Sequence, residues 1–259
     1  MDLGIAGRTA LVCGASKGLG RACAEALAAE GVNLVITGRS SEPLETAAAE
    51  LRDRHGVAVT AAAGDITTDE GRAAALAACP APDILINNAG GPPVGDWRGF
   101  KREQWLAAVD SNMVAGIMLT QQVIEGMAER RFGRIVNITS AMVKMPYAPL
   151  ALSVAARLGL TGFAKAIAPN YAKFNVTINS MLPEQFETDR LRSNLAKLGA
   201  NNGRTLEEER EAQIASSTAG RFGRVEEFGA VCAFLCSVHS GFMTGQNVLL
   251  DGGRYPGVF

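Results

Sequence analysis

The sequence predicts an α/β fold, a doubly wound parallel sheet of seven strands, in a single domain spanning residues 1–259. Two patterns predict it. Seven short runs rich in Val, Ile and Leu alternate with longer Ala- and Leu-rich stretches that carry charged faces. Strands that are apolar throughout belong to sheets covered on both sides, and their regular alternation with helical patterns marks βαβ units. Length and composition agree. A chain of 259 residues, 47% hydrophobic and 20% charged, buries a large core, and nothing in it marks a second domain.

The apolar runs lie at 9–13, 33–37, 57–61, 84–86, 134–139, 176–182 and 247–250. Between them, helical patterns occupy 20–29, 42–55, 69–78, 103–131, 152–173 and 225–237. The polar segment 187–221, which holds Asn201-Asn202-Gly203, interrupts this rhythm between the sixth and seventh strands. We read it as short helices over the ligand crevice, either a mobile substrate lid or a passive insertion.

Charge and cysteine content narrow the function classes. A net charge of -1, from 25 basic and 26 acidic residues that are interspersed, argues against a nucleic-acid or anionic-membrane surface and for a small-molecule substrate. The N-terminus lacks a basic region followed by an apolar stretch, and no apolar run approaches transmembrane length, so a cytoplasmic location is expected. The five cysteines are spread through apolar patterns and read as buried reduced thiols. His55 and His239 lie outside ligand spacing, so no metal is expected.

Directly after the first strand, Gly14-Ala15-Ser16-Lys17-Gly18-Leu19-Gly20 leads into a helix. Glycines there let backbone amides approach a phosphate, and the helix N-terminus favours its negative charge. Three further signals stand at the ends of later strands: Asp65, then Asn87-Asn88-Ala89-Gly90, then Ser140. With these motifs the chain resembles the short-chain dehydrogenase/reductase family, in particular its 3-oxoacyl-carrier-protein-reductase-like members, along nearly its whole length. The resemblance implies a Rossmann fold, a nicotinamide cofactor, and dimers or tetramers formed through the helices at 103–131 and 152–173 and the last strand with its helix.

By that resemblance the backbone from Gly14 through Ser16, Lys17, Gly18, Leu19 and Gly20 holds the diphosphate, and Asp65 and Ile66 flank the adenine. Asn87, Ala89 and Gly90 support the nucleotide and the central sheet, and Pro183 and Thr188 approach the nicotinamide. Without the family context, Asp65 reads equally as a helix cap or turn residue, and Asn87 as a side chain closing a turn. The second strand ends in Thr37-Gly38-Arg39-Ser40, with no acidic residue to bind a ribose 2′-hydroxyl. Arg39 and Lys17 place positive charge there, so NADP(H) is expected over NAD(H); a merely solvated Arg39 is the alternative.

The family's catalytic residues are a Ser, a Tyr, a Lys and a supporting Asn. Ser140 and Asn112 match. At the Tyr position stands Ser153, and at the Lys position Arg157, with Gly159-Leu160-Thr161-Gly162-Phe163 anchoring the register. An aliphatic hydroxyl is far less acidic than a phenol, and a guanidinium holds its proton too tightly to relay it. Ser153 and Arg157, four residues apart, share a helix face and place a hydroxyl and a fixed cation where a phenol and an amine are expected. Lys144 and Tyr147 follow Ser140 closely and are candidate substitute proton donors, or else a solvated charge and a packing residue. A further departure is Glu184 after Pro183, where the family has Gly: a substrate-facing carboxylate, a general base, or a side chain turned to solvent.

The function expected is an NADP(H)-dependent oxidoreductase acting on a carbonyl and its alcohol with altered proton delivery. Alternatives are a non-redox lyase, isomerase or hydratase on the same scaffold, and a catalytically silent cofactor-binding protein. Pro92-Pro93-Val94 and Trp97 offer apolar walls to a substrate pocket or pack a loop. The aromatic C-terminal segment 252–259 docks on its own subunit or on a neighbour.

Overall fold

In a computed structural model, which describes residues 1–258, all seven strands pair in parallel in one sheet, in the order β3-β2-β1-β4-β5-β6-β7. The strands are β1 (Thr9–Val12), β2 (Asn33–Gly38), β3 (Val59–Ala63), β4 (Ile84–Asn87), β5 (Gly133–Ile138), β6 (Val176–Pro183) and β7 (Asn247–Leu250). After β3 the chain crosses back to place β4 against β1. Loops leaving β1 and β4 therefore diverge, and the gap between them at the carboxyl edge of the sheet is the crevice where such folds bind ligands.

Strands β1, β2, β4, β5 and β6 bury both faces, while the edge strands β3 and β7 are partly exposed. Along β1, Ala10 and Val12 join Leu34, Ile36, Ile84 and Ile86 in one core, while Leu11 joins Val35, Leu85 and Ile135 in the other. The first core is closed by α1 (Gly18–Ala29), α2 (Ser41–His55) and α9 (Val225–Cys236). The second is closed by α3 (Asp69–Ala78), α5 (Ala115–Glu129) and α6 (Ala151–Tyr171). All five cysteines are free and buried, and Cys232 and Cys236 of α9 pack in the first core beside Cys23 of α1.

The third strand begins two residues later than the sequence pattern places it. The reason is the end of α2, where Gly56 adopts a left-handed conformation (φ 68) and its N–H caps the Arg52 carbonyl at 2.9 Å. Residues 57 and 58 then carry the chain to the sheet, with the Ala58 N–H donating to Asn33 Oδ1 at 3.1 Å.

The helical stretch read at 103–131 is divided into α4 (Arg102–Val109), a π-helical turn at Asp110–Val114, and α5. Ser111 has a part in this: its hydroxyl donates back to the Ala107 carbonyl at 2.7 Å, competing with the backbone amides for that acceptor. The polar insertion folds as α7 (Asp189–Asn201) and α8 (Leu206–Ser216). Buried Glu209 ties the pair together, accepting from Asn202, Arg204 and Gln213.

One expectation is revised. The stretch Ala148–Phe174, which contains α6, spans 27 residues with hydropathy 1.4, long and apolar enough by length and composition to cross a membrane. Its apolarity has a local cause, since Leu152, Ala156, Leu160, Ala164 and Ala168 form a buried face while Leu158 stands exposed on the outside.

Candidate active site

The crevice is framed first by the turn between β1 and α1. Gly14 (φ 60) and Gly18 (φ 62) take left-handed conformations that side chains disfavour, which lets the chain reverse tightly into the helix. The turn is fixed from two sides. The Ala15 N–H donates to the Thr37 carbonyl of β2 at 3.0 Å, and Asn88 Nδ2 donates to the Cys13 and Gly14 carbonyls at 3.2 and 3.3 Å.

Lys17, at the N-cap of α1, gives no side-chain hydrogen bond to the helix, and the first turn holds no acidic residue. Its leading N–H groups thus stay available to an external acceptor. Space exists in front of them: a Cβ built on Gly18 would meet only Thr188 Cγ2 at 3.8 Å, and one on Gly90 nothing within 4 Å. This open, uncapped helix terminus fits a diphosphate. Ser16 and Leu19 are half-buried beside it, while Lys17 and Arg39 are exposed.

Asn87 is an internal strut, donating to the Asn137 Oδ1 at 2.9 Å and to the Gly116 carbonyl and Thr120 Oγ1, both at 3.3 Å. Asp65 closes a turn, its Oδ1 accepting from the Thr67 N–H at 3.0 Å. Ile66, Asn87, Ala89, Asn112 and Arg157 line a small cavity of about 10 Å³. Asn112 sits on the π-helical turn, a geometry frequent at functional sites. Its Nδ2 donates to the Gly90 carbonyl at 3.2 Å and to Ser111 Oγ at 2.7 Å, and its buried Oδ1 has no hydrogen-bond partner among the described residues.

At the end of β5, Ser140 Oγ accepts from the Met142 N–H at 3.2 Å, and its own O–H donates to nothing within the described residues. Arg157 reaches across from α6. Its Nη1 donates to the Ile138 and Thr139 carbonyls at 2.7 and 2.9 Å, and its Nε to Ser153 Oγ at 3.1 Å. The structure therefore joins Ser153 and Arg157 to each other and to the end of β5, the strand from which Ser140 follows. Arg157 is 8% exposed. Burial, and secondarily Arg190, pull its pKa down to about 10, so it stays charged at neutral pH.

The remaining candidates are more dispersed. Lys144 is half-buried with its Nζ 5.4 Å from the centre of the Tyr255 ring, whereas Tyr147 is 57% exposed. Pro183 ends β6 in register with Leu250. Glu184 is paired with Arg254 of the C-terminal segment, and Thr188 caps α7 by accepting from the Leu191 N–H at 3.2 Å. A groove of about 1200 Å³ starts at Ser16, Lys17, Gly18 and Thr188 and runs between α1 and α7, α8 and α9, away from Ser140 and Arg157.

Three participants escaped the sequence reading. Asn88 was only a letter within a motif; its role as a tie to the glycine turn is a contact across 75 residues. Arg190, whose Nη1 donates to the Gly91 carbonyl at 3.2 Å, spans the crevice from α7 to the loop after β4. Arg254 could have been suspected only through its opposite charge to Glu184.

A model of the short chain dehydrogenase family matches residues 8–199. The chain belongs to this family. As a short chain dehydrogenase it is 33% identical to the 3-oxoacyl-[acyl-carrier-protein] reductase FabG of Vibrio cholerae, over 98% of this chain and 99% of that one. Among solved structures it resembles the L-sorbose reductase of Gluconobacter frateurii complexed with NADPH and L-sorbose, with TM-score 0.95 and 28% identity over 100% of both chains. It also resembles YwfH, an NADPH-dependent reductase involved in bacilysin biosynthesis, with TM-score 0.91 and 29% identity over 97% of this chain and 99% of that one.

Proposed function

We propose that this short chain dehydrogenase is an NADP(H)-dependent oxidoreductase that interconverts a small-molecule carbonyl and its alcohol without a phenolic proton donor. The observation that carries this is the uncapped N-terminus of α1 behind an open glycine turn, set at the crossover of the sheet. Backbone groups from Gly14 to Gly20 would hold the diphosphate, with Asp65 and Ile66 at the adenine. Asn87, Ala89 and Gly90 would flank the nucleotide, and Arg157, Pro183 and Thr188 its nicotinamide end. Bound there, the cofactor supplies or accepts the hydride. Exposed Arg39 and Lys17 favour a 2′-phosphate, in keeping with the NADPH named for the two similar structures.

The chemistry left to the chain is the management of charge on the substrate oxygen. Ser140, positioned by the Met142 N–H, has its O–H free to donate to that oxygen, and the buried Arg157 cation stabilises the negative charge as it develops. Losing a general acid costs about 10²–10⁴ in rate, and one well-placed oxyanion donor contributes about 10²–10³. The two effects are of comparable size; since Ser140 already belongs to the family's set, it is the Arg157 guanidinium that would offset part of what the absent phenol supplies. Of the two substitute donors, half-buried Lys144 is better placed than exposed Tyr147 to return a proton.

The α7–α8 hairpin acts in this scheme as the lid of a single catalytic domain. Exposed Leu106 on α4 and Leu158 on α6 offer contacts for a homodimer or homotetramer, which sedimentation checks. Five free thiols accord with the reducing conditions of a cytoplasm.

NADPH deuterated at C4 tests the reaction. Deuterium is expected in the alcohol formed from at least one member of a broad panel of ketones and aldehydes. Tight NADPH binding with no label in any product would instead favour the non-redox or catalytically silent alternatives. Absence of binding would remove the cofactor from the account altogether.

A further inference from the structure

Two guanidiniums, Arg157 and Arg190, serve the crevice, and neither has a carboxylate partner among the described residues. Most other arginines around the lid are neutralised, Arg204 by Glu209, Arg210 by Glu187, Arg221 and Arg224 by Glu227, and Arg254 by Glu184, while Arg192 of α7, also without a carboxylate partner among the described residues, lines the separate groove beside α1. Glu184, which follows β6, is engaged by Arg254.

Arg190 is an exposed residue, but its guanidinium is anchored. From the second position of α7 it crosses to the Gly91 carbonyl, and a Cβ on Gly91 would collide with its guanidinium. Gly91 thus leaves the room that Arg190 occupies. Arg157, nine-tenths buried, spends Nε and Nη1 on Ser153 and two carbonyls, and its Nη2 makes no hydrogen bond within the described residues. The two charges also act on each other, since Arg190 adds to the lowering of the Arg157 pKa. Like charges held near one another in a partly desolvated crevice are stabilised by an anion that reaches both.

We propose that the substrate of this site carries an anionic group, of which a carboxylate beside the reacting carbonyl is the simplest form, and that Arg190, supported by the field of Arg157, receives it. This inference rests on the oxidoreductase reading above. The same guanidinium chemistry would suit a phosphate of the cofactor, but the α1 terminus and Lys17 already provide a place for the diphosphate.

The experiment uses the full chain with three pairs of probes: pyruvate, benzoylformate and 2-oxoglutarate, each against its methyl ester. Binding to the complex with NADP⁺ is measured by calorimetry for wild type, Arg190→Gln and Arg190→Lys, together with the NADPH affinity of each. At least one acid is expected to bind better than its ester. Arg190→Gln is expected to weaken that acid about 10–100-fold, the size of a lost charge-assisted hydrogen bond, with partial rescue in Arg190→Lys and no change for the ester or for NADPH. Three results would each overturn the proposal: no acid outbinding its ester, an equal loss for acid and ester in Arg190→Gln, or a loss confined to NADPH. Failure of wild type to bind NADPH at all strikes the oxidoreductase reading instead, and is seen before any acid is added.

Discussion

Gly20→Ala sets two physical effects against each other, and the structure decides between them. On helix propensity alone, alanine at the third position of α1 is worth at most about 1 kcal/mol of added stability. The geometry opposes this. A Cβ on Gly20 would collide with the Gly14 carbonyl oxygen and would lie 2.7 Å from Asn88 Nδ2 and 2.9 Å from the Cys13 carbonyl oxygen. Two of those three neighbours are backbone, so no rotamer change relieves them. Overpacking of this kind costs about 1–3 kcal/mol, and releasing the two Asn88 hydrogen bonds costs about 1 kcal/mol each. The net expectation is a loss of about 2–4 kcal/mol, which for a chain of this size lowers Tm by about 4–16 °C. Because the displaced atoms belong to the proposed phosphate cradle, NADPH affinity should fall with it. Scanning fluorimetry and calorimetric titration provide the two readings. A variant with equal or higher Tm and unchanged NADPH affinity would refute both the close approach and its place in the cofactor site.

Ser140→Ala should leave NADPH binding intact and lower kcat by about 10²–10³, the effect of removing one oxyanion donor, as measured by single-turnover NADPH oxidation with a substrate the wild type reduces. Arg39→Asp should weaken NADPH by about 10–100-fold through loss of a charge-assisted contact while sparing or improving NADH, which parallel titrations compare. Glu209 is held below its ordinary value of 4.5 by hydrogen bonds from Gln213, Asn202 and Arg204. The stability it gives the α7–α8 hairpin is complete above that value and is lost as pH falls through its lowered folded-state pKa. Hydrogen-exchange protection factors in the hairpin, corrected for the intrinsic pH dependence of amide exchange, should therefore fall at acid pH in wild type, and Glu209→Gln should flatten that dependence.

The strands were legible because a sheet covered on both faces needs runs rich in Val, Ile and Leu, which β1, β2 and β4 supply nearly unbroken and β5 and β6 supply around a few buried polar residues such as Arg134, Asn137 and Asn179. The Ala-rich β3 has weak patterning, and there the start was set by the Gly56 cap, which a strand pattern does not encode. Similarly, the apolar periodicity of 103–131 continues through the π-helical turn and hides it. For the site, the glycine turn, Ser140 and the Ser153–Arg157 pair could be placed because each is local in sequence. What could not be read is where long side chains end. Arg157 folds onto the end of β5, Arg190 crosses to Gly91, and Asn88 fastens the glycine turn, and all three are contacts across many residues made by flexible or bifunctional groups.

The widened turn at Asp110–Val114 makes the register of this segment a functional variable in its own right. Each residue of an α-helix advances the chain by about 100° around its axis. Removing one residue here to restore a regular helix would swing Asn112 away from Gly90 or shift α5 against the sheet. A single-codon deletion in this stretch, though it changes no named catalytic side chain, would therefore redraw the wall of the crevice more thoroughly than most point substitutions.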